Sequence, residues 1–207
     1  MIDSLSPSSI IIALITLVIA ITIHEAVHAY VGYWLGDHTA KLEGRVSLNP
    51  IRHVDPFTTI LLPMITLILF KVPILAAKPV PFNPERVKYE EFGAAMIAGA
   101  GPLSNLLMAA LATGVVKIFQ GSLGPDLLQV FGIFVLINVG LFVFNMIPIP
   151  PLDGSRVLYA FAPEPIQRVM AGMEQFGIFL VFAIVLMVPA FGQFLGDLNS
   201  RVLDFLL

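Results

Sequence analysis

The chain has 207 residues, of which 57% are hydrophobic and only 12% charged, with a mean hydropathy of +0.92. Soluble domains carry about a quarter charged residues, so a soluble globular fold is a poor fit. The net charge of −3 provides no basic face, so no nucleic-acid partner is expected, and the absence of cysteine excludes disulfides and thiolate chemistry.

Five windows hold no Asp, Glu, Lys or Arg: 4–23, 56–70, 92–116, 127–152 and 175–196. A crossing of the hydrocarbon core takes roughly 20 apolar residues, so the second window is short for one and the other four are long enough. Residues 1–9 carry Asp3 and no basic residue, the wrong start for a cleaved signal peptide, so the first apolar segment is expected to stay in the mature protein. One helix is predicted over 8–35, apolar in its first half and ionisable in its second. A polar loop, 36–55, follows, with a short strand predicted within 42–48.

Residues 57–75 are apolar but contain Pro63, Lys71 and Pro73. Proline inside a helix removes a backbone bond and clashes with the preceding turn, so this segment is predicted to enter the membrane and return on the same side. Three prolines in 78–84 predict extended backbone. Full crossings are predicted at 94–117 and 127–147, then a connector near 162–167 and a last helix to about 196, kinked at Pro189. The predicted fold is an all-α polytopic membrane protein. It is a helical bundle with four full crossings, one re-entrant segment and short extended or β segments in its loops, forming a single integral-membrane domain, 1–207.

The chemistry concentrates in His24-Glu25-Ala26-Val27-His28. Helix positions four apart share one face, so both imidazoles can point at one metal ion, while Glu25 stands beside the first ligand where it can take a proton from water. A pair of satisfied interior histidines is the plainer alternative. Ionisable groups inside a membrane helix are costly without a functional partner, on the order of 2.5 kcal/mol or more each, which favours the metal.

A catalytic zinc site usually has three protein ligands. Asp153, following Pro150-Pro151-Leu152 and preceding Gly154, is the best third candidate. It is equally well placed to be the N-cap of a following helix. Asn145 lies at the end of an apolar run and needs partners, either substrate backbone or an oxyanion, or else the bonds freed by Pro148. Asn105 is expected to face protein, among the small residues Gly99 and Gly101. His53 and Asp55 rank lower, His53 being read as a solvated side chain in a basic loop.

With these motifs the chain resembles the site-2 protease family of intramembrane zinc metalloproteases. The likeness spans residues 10–158 and is carried by His24–His28, by Gly44-Arg45-Val46-Ser47-Leu48-Asn49-Pro50, and by His53-Val54-Asp55-Pro56. Lys78–Pro84, Ala100–Asn105, and Asn145–Gly154 read as N-x-x-P-x-x-P-L-D-G also carry it. The resemblance implies one zinc ion per chain held by His24, His28 and Asp153, Glu25 as general base, and Asn145 as a substrate-positioning or transition-state residue. It implies transmembrane protein substrates. The chain lacks the PDZ and CBS domains of several members and has Gly154-Ser155 where the family usually has two glycines.

The expected function is therefore hydrolysis of peptide bonds in transmembrane segments, with the lipid bilayer as surroundings. The rival class is a non-enzymatic transporter or scaffold that binds a metal. Basic residues set the expected orientation, since cytoplasmic loops collect Lys and Arg. If 57–75 returns on its own side, Lys41, Arg45, Arg52, Lys78, Arg86, Lys88, Arg156 and Arg168 lie together. Lys117 and Arg201 are then left near the opposite face. Both termini are then outside, in a cell inner or plasma membrane, with the zinc site nearer the cytoplasmic face.

Overall fold

The structure is a computed structural model that describes residues 6–54, 81, 83, 86–119 and 121–207. The expectations for 57–75, for most of 78–84 and for Asp55 lie outside the described residues. All regular elements among those described are helical: α1 Pro7–Trp34, α2 Thr39–Leu42, a 3-10 turn Pro50–Arg52, α3 Glu90–Phe119, α4 Pro125–Asn145, α5 Asp153–Phe161, α6 Glu164–Glu174, α7 Gly177–Met187 and α8 Pro189–Leu206.

Local chemistry explains the ends of these helices. Ser6 caps α1 through an N–H bond from Ser9, with Pro7 at the first helical position, where its missing N–H costs nothing. At the other end Gly36 takes a left-handed φ of 101°, Gly36 N–H donates to Tyr33 and Asp37 N–H to Gly32, closing the helix. Pro125 likewise takes the first position of α4, after Gly124, which supplies no side-chain cap.

Helices α1, α3 and α4 form the core, each packing on the other two. Their buried faces are small or polar. On α1, Thr16, Ala20, His24, His28 and Gly32 repeat every four residues along one face, and α3 answers with Ala94, Ala98, Gly101, Ala109 and Ala112. Large apolar side chains such as Leu14, Ile15, Val18, Leu103, Leu107 and Leu111 point outward and are more than half exposed. Small residues between helices and large apolar ones outside are the arrangement lipid surroundings favour. The protein is an integral membrane protein, with three described helices long and apolar enough to cross, or up to four if a bent pair counts as one.

Helix directions follow from contacts. His24 meets Asn105 and His28 meets Ile97, so α1 and α3 run antiparallel. Gln129 near the start of α4 donates to Ser9 near the start of α1, so α1 and α4 run parallel. Lys88 N–H donates to the Leu35 carbonyl, which puts the end of α1 beside the start of α3.

Two expectations are corrected here. Residues 42–48 form no strand: Thr39–Leu42 is a helical turn, and Gly44, at φ of 70°, turns the chain away from extended pairing. The last crossing is not one kinked helix either. Helix α7 has 11 residues, too few for roughly 30 Å at 1.5 Å each, and Val188 breaks the chain at φ −115°, ψ 90° before Pro189 starts α8. The predicted connector at 162–167 shortens to Ala162 and Pro163, the rest being the first turn of α6, which meets α7 at 83°. Helix α8 packs back along α4, placing Leu195, Leu198 and Val202 against Val135, Val139 and Val143.

Candidate metal centre

The second half of α1 brings His24 and His28 to its buried face, both under a tenth exposed. Each ring is held by its Nδ1 atom. His28 Nδ1–H donates to the Ile97 carbonyl of α3 at 2.6 Å, a bond with one possible donor because a carbonyl has no hydrogen. His24 Nδ1 lies 2.6 Å from Asn105 Oδ1. The Asn105 amide nitrogen donates to Asn138 Oδ1 at 3.0 Å and toward the Ala20 carbonyl, so its oxygen is the acceptor and His24 Nδ1–H the donor. Asn138 in turn donates to the Phe134 carbonyl at 2.9 Å. Asn105 and Asn138 are fully buried, and the chain of bonds ties α1, α3 and α4 together.

Both Nε2 atoms are consequently lone-pair donors to whatever lies between them. They stand 3.0 Å apart, and Asp153 Oδ2 lies 3.2 Å from one and 3.3 Å from the other. Three electron-rich atoms so close repel one another unless a cation is shared. Ligands about 2.0–2.1 Å from one tetrahedral ion are about 3.3 Å apart, so this triangle has the size zinc requires.

Two glycines keep the space clear. A Cβ at Gly101 would lie 2.3 Å from His28 Nε2 and 2.8 Å from His24 Nε2, so any side chain there would occupy the centre itself. A Cβ at Gly154 would lie 2.2 Å from the Met146 carbonyl, so glycine lets the start of α5 approach the end of α4. The Pro150–Pro151 bond in this turn is cis, and Gly177 at the start of α7 lies against the Pro150 carbonyl. Asp153 is the first residue of α5, whose N-terminus has no side-chain cap bond; its carboxylate faces the histidines. Of the two sequence alternatives for Asp153, capping is the one not realised.

The structure therefore brings His24, His28 and Asp153 together, the one described group of three such side chains able to hold a metal. Glu25 lies on the same turn, half-buried, with no hydrogen bond to its carboxylate among the described residues. Asn145 donates from Nδ2 to the Leu141 carbonyl of its own helix at 3.0 Å, and makes no hydrogen bond to the triangle among the described residues. His53 corrects the expectation of a solvated side chain: it is 3% exposed and bonded to the Ser47 carbonyl. Asn138 and Gly101 were not singled out as site residues. An amide in an otherwise apolar crossing was the available signal for Asn138.

Comparison with known proteins supplies the affiliation. The chain is 38% identical over 184 residues to a Bacillus subtilis protein named "Putative zinc metalloprotease YwhC", covering 84% of this chain and 80% of the relative. The site-2 protease family, Peptidase family M50, is where this chain belongs. The profile of Peptidase family M50 matches residues 112–188, a stretch that includes Asn145 and Asp153. Proteins of the same description named Rip2, from Mycolicibacterium smegmatis, and MJ0611, from Methanocaldococcus jannaschii, are 26% and 37% identical. The first match covers 90% of this chain and 70% of the relative, the second 48% and 50%. No solved structure matches. As a site-2 protease family member the chain is a zinc metalloprotease, and the donor set of two imidazoles and one carboxylate suits zinc.

Proposed function

We propose that this protein is an intramembrane-cleaving endopeptidase that hydrolyses peptide bonds in transmembrane segments of other proteins, acting as one integral-membrane domain over 1–207. The observation that carries the reading is the Nε2, Nε2, Oδ2 triangle held inside a membrane helix bundle. His24 and His28 would hold zinc through Nε2 and Asp153 through Oδ2. Zinc supplies Lewis acidity there, polarising the scissile carbonyl and making water a nucleophile near neutral pH.

The protein's own groups do the rest. Asn105 and the Ile97 carbonyl keep the two rings in the tautomer that leaves Nε2 bare. The Glu25 carboxylate, free of hydrogen bonds among the described residues, takes a proton from the attacking water. The water oxygen bonds to the carbonyl carbon, the C–N bond breaks, and Glu25 passes that proton to the leaving nitrogen. Asn145, at the end of α4, steadies the substrate backbone or the developing oxyanion with its amide.

The membrane is a cell inner or plasma membrane, with both termini outside and the centre nearer the cytoplasmic face. Lys117 Nζ at the end of α3 donates to the Leu206 carbonyl, which supports a C-terminus at the end of the bundle where α1 begins. Helices α7 and α8 together then return the chain across the bundle, from Pro150 to Lys117.

Purified protein and Glu25→Gln, each with and without a chelator, are incubated with single-span membrane substrates in vesicles. Cleavage within the span by the unaltered protein alone, abolished by the chelator, is the expected result. Equal cleavage by Glu25→Gln would overturn the reading.

A further inference from the structure

Residues Gly44–Pro50 and His53 have no part in the mechanism above, yet their loop holds two buried basic side chains. Arg45 is 2% exposed and His53 is 3% exposed. Arg45 Nη1 donates to the Arg52 carbonyl, which places the guanidinium beside the residue preceding His53. His53 Nε2–H donates to the Ser47 carbonyl at 2.8 Å. Gly44 packs against the Arg52 guanidinium, and Asn49 caps the 3-10 turn through Ile51 N–H, so the loop is folded on itself. The turn lies against α1.

Each of the two side chains has one buried atom without a partner among the described residues: Arg45 Nη2 and His53 Nδ1. Their chemistry is complementary. Nη2–H is a donor, and in a neutral ring whose Nε2 carries the hydrogen, Nδ1 is an acceptor. Buried polar groups are rarely left open, and one free donor with one free acceptor is what a single extended residue completes, since its own N–H and C=O point to the same side. The turn Pro50–Arg52 between them packs against α1, the helix that bears Glu25.

A transmembrane helix has no backbone group free for hydrolysis until it unwinds, and lipid cannot satisfy the N–H and C=O groups then released. We propose that Arg45 and His53 form a subsite for the extended backbone of the substrate, beside the helix that bears Glu25. Arg45 Nη2–H receives a substrate carbonyl oxygen and His53 Nδ1 accepts a substrate amide hydrogen. The ligand is peptide backbone, so the subsite acts alike on substrates of different sequence. This rests on the protease reading above.

Two substitutions separate the subsite from the loop's structural bonds. His53→Gln keeps an amide hydrogen for the Ser47 carbonyl and moves the acceptor off the Nδ1 position; Arg45→Lys keeps one nitrogen to donate to the Arg52 carbonyl and removes the second nitrogen. Binding of a fluorescent single-span peptide is measured in lipid nanodiscs on the Glu25→Gln protein, with and without each substitution. The same is done for peptides in which single backbone amides are replaced by esters, which deletes one N–H and weakens one carbonyl. Expected is about tenfold weaker binding of the parent peptide with either substitution. One ester position should weaken binding to the His53 protein and have no further effect with His53→Gln. Ester effects identical in both proteins, or unchanged parent binding with both substitutions, would overturn the subsite. Zinc content and thermal midpoint read on each variant show whether it has folded, and Arg45→Lys carries the test if His53→Gln has not. Cleavage of the parent peptide by the Glu25 protein is scored separately, so failure of the protease reading is distinguishable from failure of the subsite.

Discussion

Two buried polar regions of this molecule differ in how completely their hydrogen bonds are made. Around the metal centre, His24, His28, Asn105 and Asn138 are joined through α1, α3 and α4 into one network whose outer atoms end on backbone carbonyls. In the loop after α1, Arg45 and His53 are as deeply buried, but each leaves one atom without a partner among the described residues. Rings fixed at Nδ1 are held in place for a ligand at Nε2, so the closed network positions. Open atoms in a folded loop await a partner from outside, so the loop receives. The difference separates groups that build the site from groups that meet its substrate.

The sharpest break in the comparison comes from filling the space that the closed network encloses. Gly101→Ala puts a methyl group where the two Nε2 atoms meet, and the expected outcome is loss of zinc and of cleavage together, with the helical circular-dichroism signal retained. Metal analysis of the purified variant checks it; a full zinc complement would mean the triangle is not the site.

Next in size is Asn145, which lies on neither side of the contrast because one of its two amide N–H groups is bonded within α4. Asn145→Ala should lower kcat by about 10²–10³-fold, the usual cost of a lost oxyanion donor, with zinc affinity unchanged. Parallel loss of zinc and rate would make it a structural residue of α4.

Removing a member of the closed network should act on the metal. Asn105→Ala frees His24 to rotate and is expected to weaken zinc binding ~10–100-fold in chelator competition, with Asn138→Ala, one bond further out, weaker in effect. Equal effects from the two would show that the network acts through packing and not through ring orientation.

The smallest expected effect tests the closed part of the loop. Asp37 Oδ1 accepts from the Thr39 N–H and hydroxyl, and Oδ2 from Asn83 N–H at 2.7 Å. Burial works against its charge, but those bonds and the nearby Arg86 hold its carboxyl below the usual 3.8. A carboxylate lowered on folding stabilises the protein above its unfolded pKa and loses that contribution as pH falls through the folded value. Asp37→Asn should therefore lower the thermal midpoint slightly at pH 7, and the gap should close as the pH falls below about 3.8. A gap independent of pH would assign the effect to shape alone.

Much of this was legible in sequence because membrane helices and metal ligands leave strong local signals. The i, i+4 pair His24 and His28 needs no tertiary information, and the turn Pro150–Gly154 marks Asp153 as the residue opening the next helix. The partners that orient the rings were harder to see. Ile97 contributes a backbone carbonyl, which every residue has, and Asn138 is one amide in an apolar stretch whose facing neighbour is 33 positions away. His53 was misread because a basic loop resembles a solvated one until Gly44 and Asn49 fold it inward. The C-terminal helix was misread because hydropathy averages across Val188, where the backbone changes direction.

The central claim is that His24, His28 and Asp153 hold one zinc ion between α1 and α5. Diffraction from crystals of the purified protein, collected on both sides of the zinc absorption edge, tests it most directly. The account predicts a single anomalous peak about 2.0–2.2 Å from His24 Nε2, His28 Nε2 and an Asp153 carboxylate oxygen. A zinc peak elsewhere in the chain, with none inside this triangle, would contradict it.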